Sequence, residues 1–212
     1  LNKEWLEKLA LTTQVVIKRS KLNYQHGRVL YSFLRKYIEE NNILDITIME
    51  TGTSRGFSSI CMSKAIIDSN INGRVVTFDI IPHNKKMFWN IYKDHEDLFT
   101  RDEILKPWKE EVNKILFIEG WTNKQLNKTG INRINFAFLD AQHEYENVMQ
   151  EYKYVERRQI INDIIIFDDV TENQFDGVVK AVNEIKKLGN YSVELIKSSD
   201  YRAYAIARKI KK

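Results

Sequence analysis

Acids close the apolar runs of this 212-residue chain: "ITIM" is followed by Glu50, "VVTF" by Asp79, "INFAFL" by Asp140 and "DIIIF" by the pair Asp168 and Asp169. Carboxylates accept hydrogen bonds and carry negative charge, so such a set suits a ligand that brings donors, positive charge or both. Glu50 also opens an E-x-G-x-S-x-G stretch, Glu50 to Gly56. A dinucleotide fingerprint requires glycines at the first, third and sixth positions of its turn. With Gly56 as the last of them, the other two positions hold Thr51 and Thr53. Without a phosphate to neutralise, an acid at this corner suits a ligand with an ammonium group. Gly52 would let the backbone approach that ligand, and Gly56 would let the next helix pack on the strand. Asp79 is placed to accept both hydroxyls of a ribose. Alone it reads better as a helix cap or a solvated acid; beside the Glu50 corner the ribose reading is the stronger.

The later acids admit two readings. Asp168 and Asp169 would point to opposite sides of a continuing strand, so both reach one site only if the chain turns there. Gathered with Asp140 they repel one another unless a cation is shared, and an oxygen-only set selects a hard ion such as Mg²⁺. Alternatively, Asp140 and Asp169 cap the helices that follow them. His143 is either a general base suited to neutral pH or a surface histidine in the first turn of "HEYENVMQEYKYV". Tyr145 reads as a packing residue.

The elements that must position these residues follow from hydrophobic period. Residues 3–11 and 23–41 repeat apolar positions at spacings of three and four, the second with Val29, Leu30, Phe33, Leu34, Tyr37 and Ile38. Short apolar runs then alternate with helical stretches, at 46–49, 74–80, 114–120, 134–140 and 163–169, which predicts βαβ units and a mainly parallel sheet covered on both faces. "YSVELIKS" and "YRAYAIARK" are separated by only a few residues, including Ser199 and Asp200, too few for a parallel crossover, so an antiparallel pair ends the chain. Residues 1–44 are thus expected as a helical segment packed on a domain spanning 45–212. More than thirty residues separate Asp79 from Lys114, more than one crossover helix needs. An insertion at about 83–113 is expected there, either a surface helix with Phe88, Trp89, Ile91 and Tyr92 packed inward or a lid beside the ligand.

Composition narrows the setting. A net charge of +4 permits an anionic substrate without demanding nucleic acid, whose footprint is a denser basic stripe. No run approaches the length of a membrane span, and the amphipathic N-terminus does not have the build of a signal peptide. The first residue is Leu1, which suggests a trimmed or excised domain. The single cysteine, Cys61, reads as a small core residue, and a cytoplasmic, reducing location fits it.

From residue 45 onward the pattern resembles the class I S-adenosylmethionine-dependent methyltransferases, terminal hairpin included. The resemblance implies a Rossmann-like, doubly wound α/β fold of seven strands. It places Glu50 by the amino acid moiety of the cofactor, Gly52, Thr53, Ser54 and Gly56 in the cofactor loop, Asp79 on the ribose and Trp121 or Thr122 along the adenine, with Asp140 closing the site. Ser54 stands where many members have a glycine. Asp140, His143, Asp168 and Asp169 resemble the pattern of the cation-dependent O-methyltransferases, the catechol, caffeoyl-coenzyme A and macrolide-sugar enzymes. That likeness implies Mg²⁺ on Asp140, Asp168 and Asp169, with His143 or Asp140 as the base, and a small-molecule or sugar hydroxyl as acceptor. A homodimer is allowed for. Two rival readings are a nucleic-acid methyltransferase, against which no N/D-P-P-Y/F motif is present, and a non-catalytic binding module with the same fold.

Overall fold

A computed structural model of the chain describes residues 1–16, 21–199 and 202–211. Seven strands form one sheet in the order β3-β2-β1-β4-β5-β7-β6: β1 (Asp45–Thr51), β2 (Asn72–Asp79), β3 (Ile115–Glu119), β4 (Phe136–Leu139), β5 (Ile164–Phe167), β6 (Tyr191–Ser199) and β7 (Arg202–Lys209). The first five pair in parallel, and β7 runs antiparallel to both β5 and β6. The expected doubly wound sheet with a terminal hairpin is therefore what forms. Ser199 pairs with Arg202 at the hairpin's end, and Asp200 lies outside the described residues.

The central runs are uniformly apolar because both faces are covered. Ile46 and Ile48 of β1, Phe136 and Phe138 of β4, and Ile164 and Ile166 of β5 point one way. They join Leu30, Leu34, Tyr37 and Ile38 of α2 (Tyr24–Glu40) and Met62, Ala65 and Ile66 of α3 (Phe57–Asp68) in one buried cluster. Met49, Ala137, Leu139, Ile165 and Phe167 point the other way, onto α7 (Tyr145–Glu156) and α8 (Asp176–Leu188). Each such buried aliphatic side chain contributes roughly 1.5–3 kcal/mol. Gly27 lets α2 close on α3, since a Cβ there would lie 2.7 Å from Cys61 Sγ. Cys61 is fully buried, the core residue its neighbours imply. Among the described residues no helix is long and apolar enough to cross a membrane.

The insertion departs from expectation. Its first half is not helical: Met87 and Phe99 form a single antiparallel bridge, and one short 3₁₀ turn covers Tyr92–His95. Trp89 and Ile91 are each 2% exposed whereas Phe88 is 58% and Tyr92 65% exposed. The two inward residues flank Asn90, which takes a left-handed φ of 55°, and the four aromatic and aliphatic side chains do not share a face. Helix appears only in the second half, as α4 (Arg101–Leu105), a 3₁₀ turn Lys106–Trp108 and α5 (Lys109–Val112), with Pro107 tolerated at the start of that 3₁₀ turn. Trp89, Ile91, Ile104, Leu105 and Trp108 pack with Leu6 and Leu9 of α1 (Lys3–Thr13) and with Phe57 and Ile60 of α3. We expect Trp89→Ala to lower unfolding free energy by about 3–5 kcal/mol in urea titration, while Phe88→Ala stays within about 0.5 kcal/mol; equal losses would show that the two side chains are packed alike.

Candidate active site

The acids gather at the carboxyl ends of the parallel strands, at the point between β1 and β4 where the strand order reverses, which is where open α/β sheets hold ligands. Glu50 ends up fully buried. Its carboxylate accepts hydrogen bonds from Ser58 Oγ and Ser59 Oγ of α3 and, at 2.6 Å, from Thr77 Oγ1 of β2. Burial raises its pKa although the three hydroxyls pull it down. It therefore braces the corner from within; the surface a ligand would meet lies beyond it.

Gly52 has φ +88, and a Cβ there would fall 2.2 Å from the backbone oxygen of Asp140. Its lack of a side chain serves the approach of β4's end. Gly56, φ +90, caps α3 in the left-handed region, and its Cβ would meet Leu105 of the insertion at 2.9 Å. Ser54 takes a left-handed φ of 49°, the conformation a glycine would adopt without cost. Asp79 stabilises it: Asp79 Oδ2 accepts from Ser54 N–H at 2.5 Å and Oδ1 from Ile81 N–H at 2.8 Å. Thr53 is buried, its hydroxyl paired with that of Thr77 at 2.5 Å. After β3, Trp121 is half exposed and Thr122, the first residue of α6 (Thr122–Gln125), is turned inward at 9% exposure, so of the two Trp121 is the more open.

Asp140 belongs to two groups whose ligating atoms lie within 4.8 Å of one another, one with His26 and Asp168, the other with His143 and Asp169. The chain does turn after β5, with φ +55 at Asp169, and the two acids of the pair come to face different histidines. Asp169 Oδ2 lies 3.2 Å from His143 Nε2. The His143 ring packs on Phe175 with centroids 4.4 Å apart, and Gly177 admits its loop, since a Cβ there would be 2.2 Å from His143 O. Asp168 is 2% exposed. Its Oδ2 lies 3.5 Å from His26 Nδ1 and 3.4 Å from Arg202 Nη2, and burial lifts its pKa to about 7 against the pull of Arg202. Arg202 Nη2 and Nε also lie 3.3 and 3.4 Å from Asp169 Oδ1. Burial, Asp168 and Asp169 all push Asp140 well above the usual carboxylate range.

The site's chemistry therefore differs from an oxygen-only cation site. Asp140, Asp168 and Asp169 do not form one ligand set; each group contains an imidazole, and both acids of the pair already face a guanidinium. These residues do not fit a hard ion such as Mg²⁺, which takes oxygen ligands.

A methyltransferase-domain family model matches residues 49–170, from within β1 to just past the Asp168 and Asp169 turn and more than half of the chain. The chain belongs to the methyltransferase domain family. The resemblance read from the Glu50 corner and Asp79 is thus borne out, and solved structures share the fold. The O-methyltransferase TomG of Streptomyces achromogenes, in complex with SAM, is 16% identical, with 99% of this chain and 91% of that chain covered and a TM-score of 0.69. An O-methyltransferase of Bacillus cereus in complex with SAH is also 16% identical, with 99% and 92% covered and a TM-score of 0.69. CalS11, a TDP-rhamnose 3'-O-methyltransferase of calicheamicin biosynthesis, is 16% identical, with 98% and 95% covered and a TM-score of 0.60. No curated protein sequence matches the chain.

Four residues of this methyltransferase went unnoticed in the sequence. His26 and Arg202 carry no local signal, since only tertiary pairing brings α2 and the start of β7 to the acids. Arg101 stands in an insertion whose first half has helix-like spacing but forms a bridge and a 3₁₀ turn. It is 2% exposed, and donates to Ser54 O at 2.9 Å and to Ile81 O at 3.1 Å, bolting the insertion to the glycine loop. Glu151 did leave a trace, as a charge on the apolar stripe of α7 beside Val148, Tyr152 and Val155. Its carboxyl accepts from Thr51 Oγ1 at 2.8 Å, while Thr51 O accepts the Asp140 N–H at 3.0 Å.

Burial pushes Glu151 from an ordinary 4.5 up to about 8, so between those values the folded chain holds a proton that the unfolded chain has released. Its stabilising term is complete below about pH 4.5 and fades as pH rises toward 8. Glu151→Gln keeps a neutral group at all pH values. The variant's melting temperature, measured by calorimetry from pH 5 to 8, should fall less steeply than that of the parent; parallel curves would mean that Glu151 is ionised in the fold.

Proposed function

We propose that this methyltransferase uses S-adenosylmethionine to methylate a hydroxyl of a small molecule or sugar. The observation that carries the reading is the Asp169–His143 pair standing beside Asp140, on the opposite side of the strand-order reversal from the Asp79 loop. An ionised carboxylate can only accept, so Asp169 places the imidazole hydrogen on Nε2 and leaves the lone pair on Nδ1. That is an oriented general base, the requirement for taking a proton from an alcohol. When bound, the cofactor supplies an electrophilic methyl group on a positively charged sulfonium. The corner suits a diol: Asp79, at the end of β2, keeps lone pairs beyond the two backbone donors it already holds. The half-exposed ring of Trp121 offers an apolar face for a base at the end of β3. The solved structures with this fold that are named O-methyltransferases, two of them with SAM or SAH, support the same reading.

In this scheme the protein's work is positional. Glu50, through Ser58, Ser59 and Thr77, fixes the first turn of α3; Asp79 and Arg101 hold Ser54 from either side; His143 removes the acceptor's proton as its oxygen approaches the methyl carbon. S-adenosylhomocysteine should raise the melting temperature in proportion to the logarithm of its concentration. Asp79→Ala should weaken that ligand's binding in isothermal titration by roughly 1–3 kcal/mol and also lower stability without ligand, because two backbone N–H groups lose their acceptor. Unchanged affinity in a folded variant would remove Asp79 from the site. His143→Asn should lower kcat by roughly 10²–10⁴ while leaving S-adenosylhomocysteine affinity intact; with an acceptor in hand, retained turnover would eliminate His143 as the base.

A further inference from the structure

We propose that Arg202 is the built-in cation of the acidic corner, so that the chain performs its transfer without a divalent ion, and that its guanidinium is what closes the corner to metals. The inference rests on the methyl-transfer reading for its catalytic part only; the metal-exclusion part stands on the geometry. Three carboxylates approach one another here, and Asp140 is common to both candidate ligand groups. Such a cluster needs a shared positive charge, and one is present on the protein itself. Arg202 Nη2 reaches Asp168 Oδ2 at 3.4 Å and Asp169 Oδ1 at 3.3 Å. A single planar guanidinium thus spans the two consecutive acids, which the left-handed turn at Asp169 brings within its reach.

The placement is rigid. Arg202 opens β7, whose next residues, Ala203, Tyr204 and Ala205, are all buried, and Ala203 O accepts the N–H of Val170 at 2.9 Å. The strand that carries the guanidinium is therefore stitched to the turn that carries the acids. Asp168 Oδ2 is buried and has no directed hydrogen bond; it is held by the charges and dipoles around it. Burial works against the charge of Arg202, yet Asp168 and Asp169 more than offset it and raise its pKa, so the cation persists at any pH the fold survives. A metal ion entering the corner would have to share these same carboxylate oxygens with a fixed like charge.

The test compares the purified chain with Arg202→Met and Arg202→Lys, using Mn²⁺ as a paramagnetic probe and Mg²⁺ in thermal melts, with S-adenosylhomocysteine titration run alongside. The parent and Arg202→Lys should show no saturable Mn²⁺ binding at the corner and no Mg²⁺ or chelator effect on melting. Arg202→Met should gain Mn²⁺ affinity by about tenfold or more, the effect of removing one nearby unit charge, and that gain should vanish in Arg202→Met combined with Asp169→Asn. Saturable Mn²⁺ binding by the parent that Asp169→Asn abolishes would overturn the proposal, as would an Arg202→Met protein that binds no more Mn²⁺ than the parent. If Arg202→Met does not fold, the parent with and without Asp169→Asn decides the matter. Failure to bind S-adenosylhomocysteine would instead count against the cofactor reading and leave the metal result standing.

Discussion

A carboxylate with no solvent must find its donors inside the protein, and Glu50 finds three hydroxyls on two different elements. Leaving such a group unpaired costs several kcal/mol, so the arrangement acts as a joint. Ser58 and Ser59 fix the first turn of α3, Thr77 fixes the end of β2, and Glu50 itself belongs to β1. Once these three are locked, the loop from Thr51 to Gly56 has little freedom. Gly52 N–H bonds to Phe78 O at 2.9 Å, its bare Cα faces the Asp140 carbonyl, and Ser54 is left at a positive φ that Asp79 must satisfy. The ends of β1 and β2 are thus set by one buried carboxyl group, and the candidate cofactor corner inherits its shape from it.

The insertion completes the same loop from outside. Arg55 Nε donates to Trp89 O at 2.7 Å, and Arg101 crosses from the start of α4 to Ser54 O and Ile81 O. Arg101 also lies over the rings of Trp89 and Phe117, 5.6 Å from each. A buried arginine whose Nε and Nη2 both meet backbone carbonyls is a rigid strut, because its planar fork loses little further freedom on binding. The segment is therefore joined to the glycine loop by packing and by two guanidinium groups.

The strands and most helices were legible in the sequence because their signal is local. A run such as Ile164 to Phe167 can be buried on both faces only in a covered parallel sheet, and Leu30, Leu34, Tyr37 and Ile38 repeat at helical spacing. The positions of Glu50, Asp79, Asp140 and the Asp168–Asp169 pair at strand ends were legible for the same reason. What those carboxylates face was not. The burial of Trp89 and Ile91 against the exposure of Phe88 and Tyr92 is hidden in a four-aromatic-and-aliphatic cluster that fits a helix equally well; the bridge from Met87 to Phe99 decides it. Likewise Ser58 and Ser59 gave no sign that they point at Glu50, and nothing near Arg202 in the chain announces an acid partner more than thirty residues away.

The two histidines make the electrostatic division of the site visible. Asp140 stands between them, and the acids after β5 are split, Asp168 toward the buried His26 and Asp169 toward the more open His143. His26 is further enclosed by Phe57, Phe138 and Tyr204, with its Nδ1 3.0 Å from the tyrosine hydroxyl. A ring so enclosed serves structure, tying α2 to the sheet's end, whereas the His143 side chain is 42% exposed. Arg202 joins the two halves by touching both acids. The inner pair thereby keeps the turn after β5 in place, and the outer pair, which shares Asp169 with Arg202, is left oriented toward the open side of the site.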